Sequence, residues 1–312
     1  LYKCFLPQAW MFNNECGVAA FLHPEGVYDD PRGGALREKL YARLRKHFMF
    51  ANERKLFPEV HHHTQFSLNV YGDPQMASFD TICNLYEAKS IEECYESNPS
   101  APIPGIKDEN GEWNTTGHPS RIIHVTKKEL MLFAKLFDLS NNWKSAKMPV
   151  LHVCQFVSVL EQFAKHEMTL GSIMDDVFAS EMWNETGAQK DGTIYRNVHF
   201  PESQYDMIYS GPHTNVANPL FKTSRRICVK NSDFDNIDLT NLPETYLQRC
   251  NYGPRIDREN YGNCAPVTGW GENYLNTYRL LSRRMLNQGG ERTLTCAIAP
   301  RAIAHVNTVF SL

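Results

Sequence analysis

The chain has 312 residues, of which 42% are hydrophobic and 21% are charged, as in an ordinary globular protein. This length favours about two domains over one small core. The net charge of -3 excludes a chain that is basic throughout, so any surface for nucleic acid must be a local patch.

The nine cysteines are odd in number and form no C-x-x-C pair, which is typical of free thiols in a reducing cytosol. We therefore expect a cytoplasmic protein. No apolar run reaches the roughly 18 residues needed to span a bilayer, so we expect no membrane partner. The run His61-His62-His63 could recruit a metal ion, but adjacent side chains of an extended strand point to opposite faces. We therefore expect no metal site.

The first seventy residues alternate between helix and strand. The opening segment LYKCFLPQAWMF predicts a helix. Residues 17–23, GVAAFLH, form an almost continuous apolar run that predicts a strand buried on both faces of a parallel or mixed sheet. The following segment, ALREKLYARLRKHF, predicts a helix because apolar residues recur at four-residue steps. They are Leu36, Leu40, Leu44 and Phe48. Residues 66–72, FSLNVYG, predict a strand that alternates Phe66, Leu68 and Val70 inward.

From about Asp73 the segments shorten and turn residues multiply. Thr126 and Glu129 form a capping box that predicts the start of a helix. Residues 156–166 and 273–286 also predict helices, and the second places Arg279 and Arg283 one turn apart. Residues 292–299 predict a strand in which Leu294, Cys296 and Ile298 alternate. We place the domain boundary at 75/76, which gives domains 1–75 and 76–312.

Positive charge in the second domain is clustered and interleaved with aromatic residues. Arginine is favoured where phosphates or guanine edges are read, because its planar fork donates two parallel hydrogen bonds. The alternative is a solvated face that balances the acidic stretch NSDFDNIDL. The clusters contain Lys222, Arg225, Arg226, Lys230, Arg249, Arg255, Arg258, Arg279, Arg283, Arg284 and Arg292. His213, in the turn-rich stretch SGPHTNVANPLFKTSRR, is either a structural histidine or a base contact.

An E-x-K pattern at Glu87 and Lys89, with Asp80 upstream, is reminiscent of metal-dependent nucleases. Asp80 precedes Glu87 by only seven residues, which leaves little room for the separate strands of such a site. The chain contains no G-x-G-x-x-G, Walker, G-x-S-x-G or H-E-x-x-H motif.

Several ordered segments resemble adenine-specific DNA methyltransferases of the Eco57I-like class, which belong to restriction-modification and phage-defence systems. Residues 5–72 are similar to the last third of the catalytic domain. The stretches YSGPHTNVANPLFKTSRRICVKNSDFDNIDL, LPETYLQRCNYGP and ERTLTCAIAPRAIAHVNTV are similar to the target-recognition region. The resemblance implies an α/β fold, a partial Rossmann-like methyltransferase sheet, followed by an α+β target-recognition domain.

The resemblance implies a DNA-recognition and base-positioning role in N6-adenine methylation of double-stranded DNA. Enzymes of this class bind S-adenosylmethionine at a glycine-rich turn and hold adenine with an (Asn/Asp)-Pro-Pro-(Tyr/Phe) tetrapeptide. Neither motif occurs here, since Asn98-Pro99 and Asn218-Pro219 are followed by serine and leucine. We therefore expect the C-terminal portion of such an enzyme, inactive alone, with the upstream half of the methyltransferase domain as its partner and the binder of S-adenosylmethionine.

The resemblance also places Phe57 where an aromatic side chain stacks on the flipped base, although it could equally be a core residue at the sheet edge. The expected DNA contacts are His213, Lys222, Arg225, Arg226, Arg249, Arg279, Arg283, Arg284 and Arg292. Two other functions stay open at this point. One is a recognition module without catalysis, such as a specificity subunit, and the other is a nuclease that uses Asp80, Glu87 and Lys89.

Overall fold

A computed structural model describes residues 2–285 and 294–312 and divides the chain into two units, Leu1–Glu167 and Met168–Leu312. Both combine helices with strands, and the first contains a five-stranded mixed sheet. No helix among the described residues is long and apolar enough to cross a membrane.

The first unit alternates helices and strands from its beginning. Its elements are α1 (Tyr2–Phe12), β1 (Ala19–Pro24), α2 (Gly26–Asp29), α3 (Gly34–Tyr41), β2 (Leu44–Ala51), β3 (Gln65–Tyr71), β4 (Ser78–Leu85), α4 (Lys89–Glu96), β5 (Ile123–Thr126), α5 (Lys127–Phe137) and α6 (Gln155–Phe163). The strand order in its sheet is β1-β3-β2-β4-β5. Strand β3 is antiparallel to both β1 and β2, so those two run parallel to each other, and β2 is also parallel to β4.

Both faces of the central strands are covered by apolar side chains. On one face, Leu40, Tyr71 and Phe79 pack with the helices in the larger core cluster. On the other face, Phe66 and Ile82 belong to a smaller cluster that ends at α4. The core thus runs across β2, β3 and β4 and depends on residues from both sides of position 75.

The structure corrects two predictions for this unit. Strand β1 is an edge strand whose side chains alternate between half-buried and exposed, with Leu22 51% exposed, so it is not buried on both faces. The helix expected over residues 35–48 ends at Tyr41, and Leu44 and Phe48 lie in β2. The expected helix at the start of the chain and the capping box of α5, where Glu129 accepts from the Thr126 backbone, are confirmed.

The second unit has short strands in several small sheets. Its elements are α7 (Glu185–Lys190), β6 (Ile194–His199), β7 (Ile208–Tyr209), β8 (Lys222–Ser224), β9 (Phe234–Asn236), β10 (Cys250–Pro254), α8 (Arg258–Cys264), β11 (Arg279–Arg283), β12 (Cys296–Ala299), β13 (Ala304–His305) and β14 (Val309–Ser311). The pairs are β10-β6, β13-β7 and β8-β9, and a three-stranded sheet has the order β12-β11-β14. Two clusters of buried apolar residues form the core of this unit.

The helix predicted over 273–286 is wrong, because Arg279 and Arg283 begin and end strand β11. The predicted strand near the end of the chain is confirmed as β12, but its alternation is reversed. Ile298 is 64% exposed, whereas Ala297 and Ala299 are buried.

The division between Glu167 and Met168 also differs from the predicted boundary at 75/76. The reason is that β4 pairs with β2 in one sheet, so the chain continues the first unit past residue 75.

Candidate functional site

A basic hairpin in the second unit brings together several of the residues expected to contact DNA. We define it as residues 222–236, which contain β8, β9 and the turn between them. Lys222, Thr223 and Ser224 pair with Asn236, Asp235 and Phe234 in antiparallel register. Arg225, Arg226 and Lys230 are exposed at the turn. Ile227 and Val229 are exposed beside them, at 78% and 71%.

Two aspartates fix the shape of the hairpin turn. The carboxylate of Asp233 accepts from the backbone N–H groups of Val229 and Lys230, both at 2.9 Å. The Arg225 Nε donates to Asp235 Oδ1 at 2.8 Å, so this guanidinium is already paired across the hairpin. Among the described residues, no carboxylate forms an ion pair with Arg226 or Lys230, which leaves these two cations open to solvent anions.

The base of the basic hairpin is held by the start of β10. The Arg249 carbonyl accepts from the Ser224 backbone N–H at 3.3 Å and from the Ser224 hydroxyl at 3.0 Å. In return the Arg249 N–H donates to Thr223 Oγ1 at 3.0 Å. The Arg249 guanidinium lies 4.6 Å above the Phe200 ring. Arg249, far from Lys222 in sequence, therefore lies next to the hairpin.

His213 is a structural residue beneath this base. It is fully buried, its Nδ1 accepts from the Ser210 N–H at 3.0 Å, and its Nε2 lies 3.3 Å from the Arg249 carbonyl oxygen. Its ring meets the edge of Phe234 at 5.0 Å between centroids. Burial lowers the pKa of His213 to about 4, so the ring is neutral at pH 7. The predicted DNA contact by His213 is therefore corrected, since a buried ring cannot reach a base.

The other arginines that were predicted to contact DNA lie outside the basic hairpin. Arg279 is buried and donates to the Pro300 carbonyl at 3.3 Å and to the Ile303 carbonyl, which excludes a direct DNA contact. Arg284 forms an ion pair with Glu181. Arg283 is half-buried, with its Nε 3.8 Å from where a Cβ on Gly211 would lie. Arg292 lies outside the described residues.

Arg196 extends the basic surface, and sequence reasoning missed it. A concave surface beside the hairpin is lined by Arg196, Arg226, Cys228 and Asn251, among others. The Arg196 Nη2 donates to the Val229 carbonyl at 2.7 Å, which ties β6 to the hairpin turn. The available sequence signal was weak, because Arg196 is an isolated cation in YRNVHF.

Phe57 lies in the loop between β2 and β3, which we call the Phe57 loop and define as residues 52–64. Its ring is 39% exposed and meets the edge of Phe66 at 5.1 Å between centroids. Buried Asn52 fixes the loop, since its amide donates to the carbonyls of Phe57 and Val60 at 2.9 Å and its Oδ1 accepts from the Phe57 N–H at 2.9 Å. Phe57 is thus an exposed residue whose ring packs against the core residue Phe66.

The three residues of the predicted nuclease site have different partners. Asp80 accepts from Lys46 at 2.5 Å and from His124 at 2.9 Å. Glu87 pairs with Arg54 at 3.4 Å, and Lys89 pairs with Glu93 at 3.2 Å. These contacts do not form a shared metal site, and the nuclease alternative loses its structural basis.

Sequence reasoning also missed a buried polar cluster against the first face of the sheet. Both oxygens of Glu25 lie 3.2 Å from His47 Nε2, and His47 Nδ1 lies 2.7 Å from Thr81 Oγ1. His23 Nε2 contacts the Tyr71 hydroxyl at 3.0 Å. Polar residues at alternate positions of β3, Ser67 and Asn69 among them, were the available signal. His23, His47 and Tyr71 are buried and the Glu25 side chain is 14% exposed, so the cluster lies mostly inside the first unit.

No family model matches the chain, and no curated protein matches it. Among solved structures, the chain is similar to one described as the structural basis of complex assembly and conformational transition in the type I restriction-modification system. The TM-score is 0.26 and the sequence identity is 12%. The match covers 52% of this chain and 35% of that chain, so the chain spans about a third of that protein. A likeness of this size does not establish a shared fold.

Proposed function

We propose that the second unit binds the backbone of double-stranded DNA through the basic hairpin, on behalf of an adenine-specific DNA methyltransferase. The observation that supports this most directly is the meeting of separate sequence segments at one basic surface. Arg196 and Arg226 line one concave surface, Lys222, Arg225 and Lys230 belong to the same hairpin as Arg226, and the Arg249 backbone holds the base of that hairpin. Phosphate contacts position a protein on DNA, whereas contacts to base edges specify the sequence.

The chemistry of the hairpin suits a polyanion better than a single small anion. Arg226 and Lys230 project from a turn whose backbone is fixed by Asp233, and Arg196 is oriented by the Val229 carbonyl. Exposed Ile227 lies between the cations and gives an apolar contact for sugars or thymine methyl groups. Each phosphate that such cations neutralise releases condensed counterions, which makes binding steeply salt-dependent.

The first unit supports the methyltransferase part of the proposal through its strand arrangement. A strand antiparallel to its two neighbours lies between two parallel strands, in the order β1-β3-β2. Among the described residues β1 pairs only with β3, so its other edge is open to a further strand. In this proposal an upstream half of the domain adds strands there and binds S-adenosylmethionine, and the open face of Phe57 stacks on the flipped adenine.

The DNA-binding proposal is tested by fluorescence anisotropy of a labelled duplex with the full chain between about 50 mM and about 200 mM salt. We expect the logarithm of the association constant to fall steeply with the logarithm of salt concentration. Arg226→Ala and Lys230→Ala should each reduce that slope by about 1. Lys190→Ala removes an exposed charge of the same unit outside the hairpin and should leave the slope unchanged. A shallow dependence in the wild-type chain would overturn the proposal.

The methylation proposal needs a different experiment. DNA from cells that carry the gene for this chain is sequenced with a method that detects N6-methyladenine, beside DNA from cells in which the gene is deleted. We expect one recognition sequence to lose its methylation on deletion. DNA binding without any change in methylation would instead favour a recognition module that acts without catalysis.

A further inference from the structure

We propose that Glu53, His62 and His63 form a binding site for a divalent transition metal such as zinc. An ion bound there links the two ends of the Phe57 loop. The three side chains each offer one ligand atom, and these atoms all lie within 4.8 Å of one another. Two imidazoles and a carboxylate are ligands that Zn²⁺ accepts, and three protein ligands leave the fourth tetrahedral position for water. This proposal is independent of DNA binding.

The structure removes the reason for expecting no metal at the histidine run. Adjacent residues of an extended strand point to opposite faces, but His62 and His63 form a turn that precedes β3. Their ring centroids are 3.8 Å apart, so both imidazoles lie on one side of the chain. His62 Nδ1 lies 3.1 Å from Glu53 Oε2, and His63 Nδ1 lies 2.7 Å from Glu53 Oε1.

These separations are close to those that a metal requires. Ligand bonds of about 2.0–2.1 Å in a tetrahedron place the donor atoms roughly 3.3 Å apart. The two contacts are made to different oxygens of Glu53. The one to His62, at 3.1 Å, is about 0.2 Å shorter than that separation, and the one to His63, at 2.7 Å, is about 0.6 Å shorter. The wider separation within the set can close by rotation of His63, whose side chain is 67% exposed.

The backbone fixes the site before any ion arrives. Glu53 follows Asn52, which is fully buried and makes three side-chain hydrogen bonds within the loop. The Asn52 N–H donates to the Thr64 carbonyl at 3.0 Å, and the Thr64 N–H donates to the His61 carbonyl at 3.0 Å. The two ends of the loop are thus joined at Asn52 and Thr64. A metal bound to Glu53 and His63 would add a second link across the same loop.

The site is tested by titration calorimetry of the full chain with Zn²⁺ under reducing conditions. We expect one tightly bound ion per chain. Glu53→Gln and His63→Ala should each weaken binding by at least about tenfold, the loss that even an outer-shell partner of a ligand causes. His166→Ala removes an exposed imidazole of the same unit outside the loop and should have no effect. Equal affinity in the wild type and His63→Ala would overturn the proposal, as would no binding at all.

Two further measurements separate this site from the nine free cysteines. Co²⁺ replaces Zn²⁺ as a visible probe, and we expect a spectrum without thiolate-to-cobalt charge transfer. A strong thiolate band would place the metal on cysteine and reject the site.

Trypsin cleavage after Arg54 and Lys55 should be slower with Zn²⁺ in the wild type but not in Glu53→Gln. Protection that persists in Glu53→Gln would show that the ion acts elsewhere.

Discussion

The Glu25 and His47 pair makes the stability of the first unit depend on pH. Burial alone would lower the pKa of His47, but the carboxylate of Glu25 outweighs burial and raises the pKa from 6.5 to about 9. A folded pKa above the unfolded value means that the folded state holds the proton more tightly. The contribution of the His47 proton is therefore complete below about pH 6.5 and is lost as the pH rises through about 9. His47 also lowers the pKa of Glu25, although burial opposes it, so the carboxylate's contribution is lost only in acid.

We expect Glu25→Gln to lower the free energy of unfolding at pH 6.5 by about 3 kcal/mol, because it leaves His47 buried without its counter-charge. The variant should also lose the decline in stability between pH 6.5 and about 9. Urea unfolding across this range measures both effects. Glu161→Gln breaks a surface ion pair with Lys128 and should cost under about 1 kcal/mol. A variant that kept the wild-type decline would show that another group causes it.

His213 makes the stability of the second unit depend on pH in the opposite direction to His47. Its folded pKa of about 4 lies below the unfolded value of 6.5, so the unfolded chain takes up the proton first as the pH falls. Stability therefore decreases from about pH 6.5 down to about pH 4. His305, another buried histidine whose pKa burial lowers to about 3, acts in the same direction. Because the His213 ring is neutral, its Nδ1 can accept the hydrogen bond from the Ser210 N–H.

We expect His213→Ala to reduce the free energy of unfolding at pH 7 by about 2–4 kcal/mol, because it leaves a cavity and unpaired backbone groups. The loss of stability between pH 7 and pH 4.5 should also become smaller than in the wild type. Denaturation at both pH values gives the result, and His166→Ala serves as an exposed control. Unchanged stability combined with lost DNA binding would instead favour a direct base contact.

At the scale of single elements, the spacing of residues explains why two helix predictions were wrong. Four-residue steps fit one face of a helix, but four is also an even number, so the same residues share one face of a strand. Leu44 and Phe48 both lie in β2, although a register shift between Leu44 and Lys46 places them in different core clusters. Arg279 and Arg283 likewise share β11. The capping box at Thr126 was decisive because it satisfies backbone N–H groups at the start of a helix, which have no partner within the helix.

The candidate site could be predicted only in part for a related reason. Lys222, Arg225 and Arg226 are neighbours in sequence, so their meeting at one hairpin followed from the turn-rich stretch that contains them. Arg196 joins them through β6 and β10, and His213 lies beneath them because of long-range packing. Pairing between distant strands has no local sequence signature. This is why the sequence did not predict the burial of Arg279 and did not decide between the two interpretations of His213.

Gly117 shows how closely a loop approaches a helix. A Cβ there would lie 2.3 Å from the Glu93 Cβ and 2.6 Å from the Cys94 backbone N of α4. We expect Gly117→Ala to cost about 1–3 kcal/mol or more, since backbone must move. Gly262 in α8 has no atom within 4 Å of its virtual Cβ, so Gly262→Ala should stabilise the chain by about 0.4–1 kcal/mol. Thermal unfolding of both variants tests the pair, and equal effects of the two would contradict it.

At the scale of the whole molecule, the change in composition near Asp73 does not mark the end of a domain. It marks the point where long elements give way to short ones, while the sheet continues into β4 and β5. Phe48 and Phe66 before that point pack with Ile82 and Leu85 after it. Composition reports the local density of turns, whereas a domain boundary depends on which distant residues share a core.

The division of the chain between Glu167 and Met168 leads to the last prediction. Residues 1–167 and 168–312 each contain their own core clusters, so each fragment should fold and unfold cooperatively when produced alone. A cut at 75/76 instead separates β4 from β2 and exposes the apolar cluster between them, so fragments 1–75 and 76–312 should aggregate. Because the basic hairpin lies wholly within 168–312, that fragment should retain DNA binding with a salt slope within about 1 of the full chain's. Circular dichroism and fluorescence anisotropy measure the two properties separately. A folded 168–312 fragment that does not bind DNA, beside a full chain that does, would place the contact surface in the first unit and contradict binding by the basic hairpin.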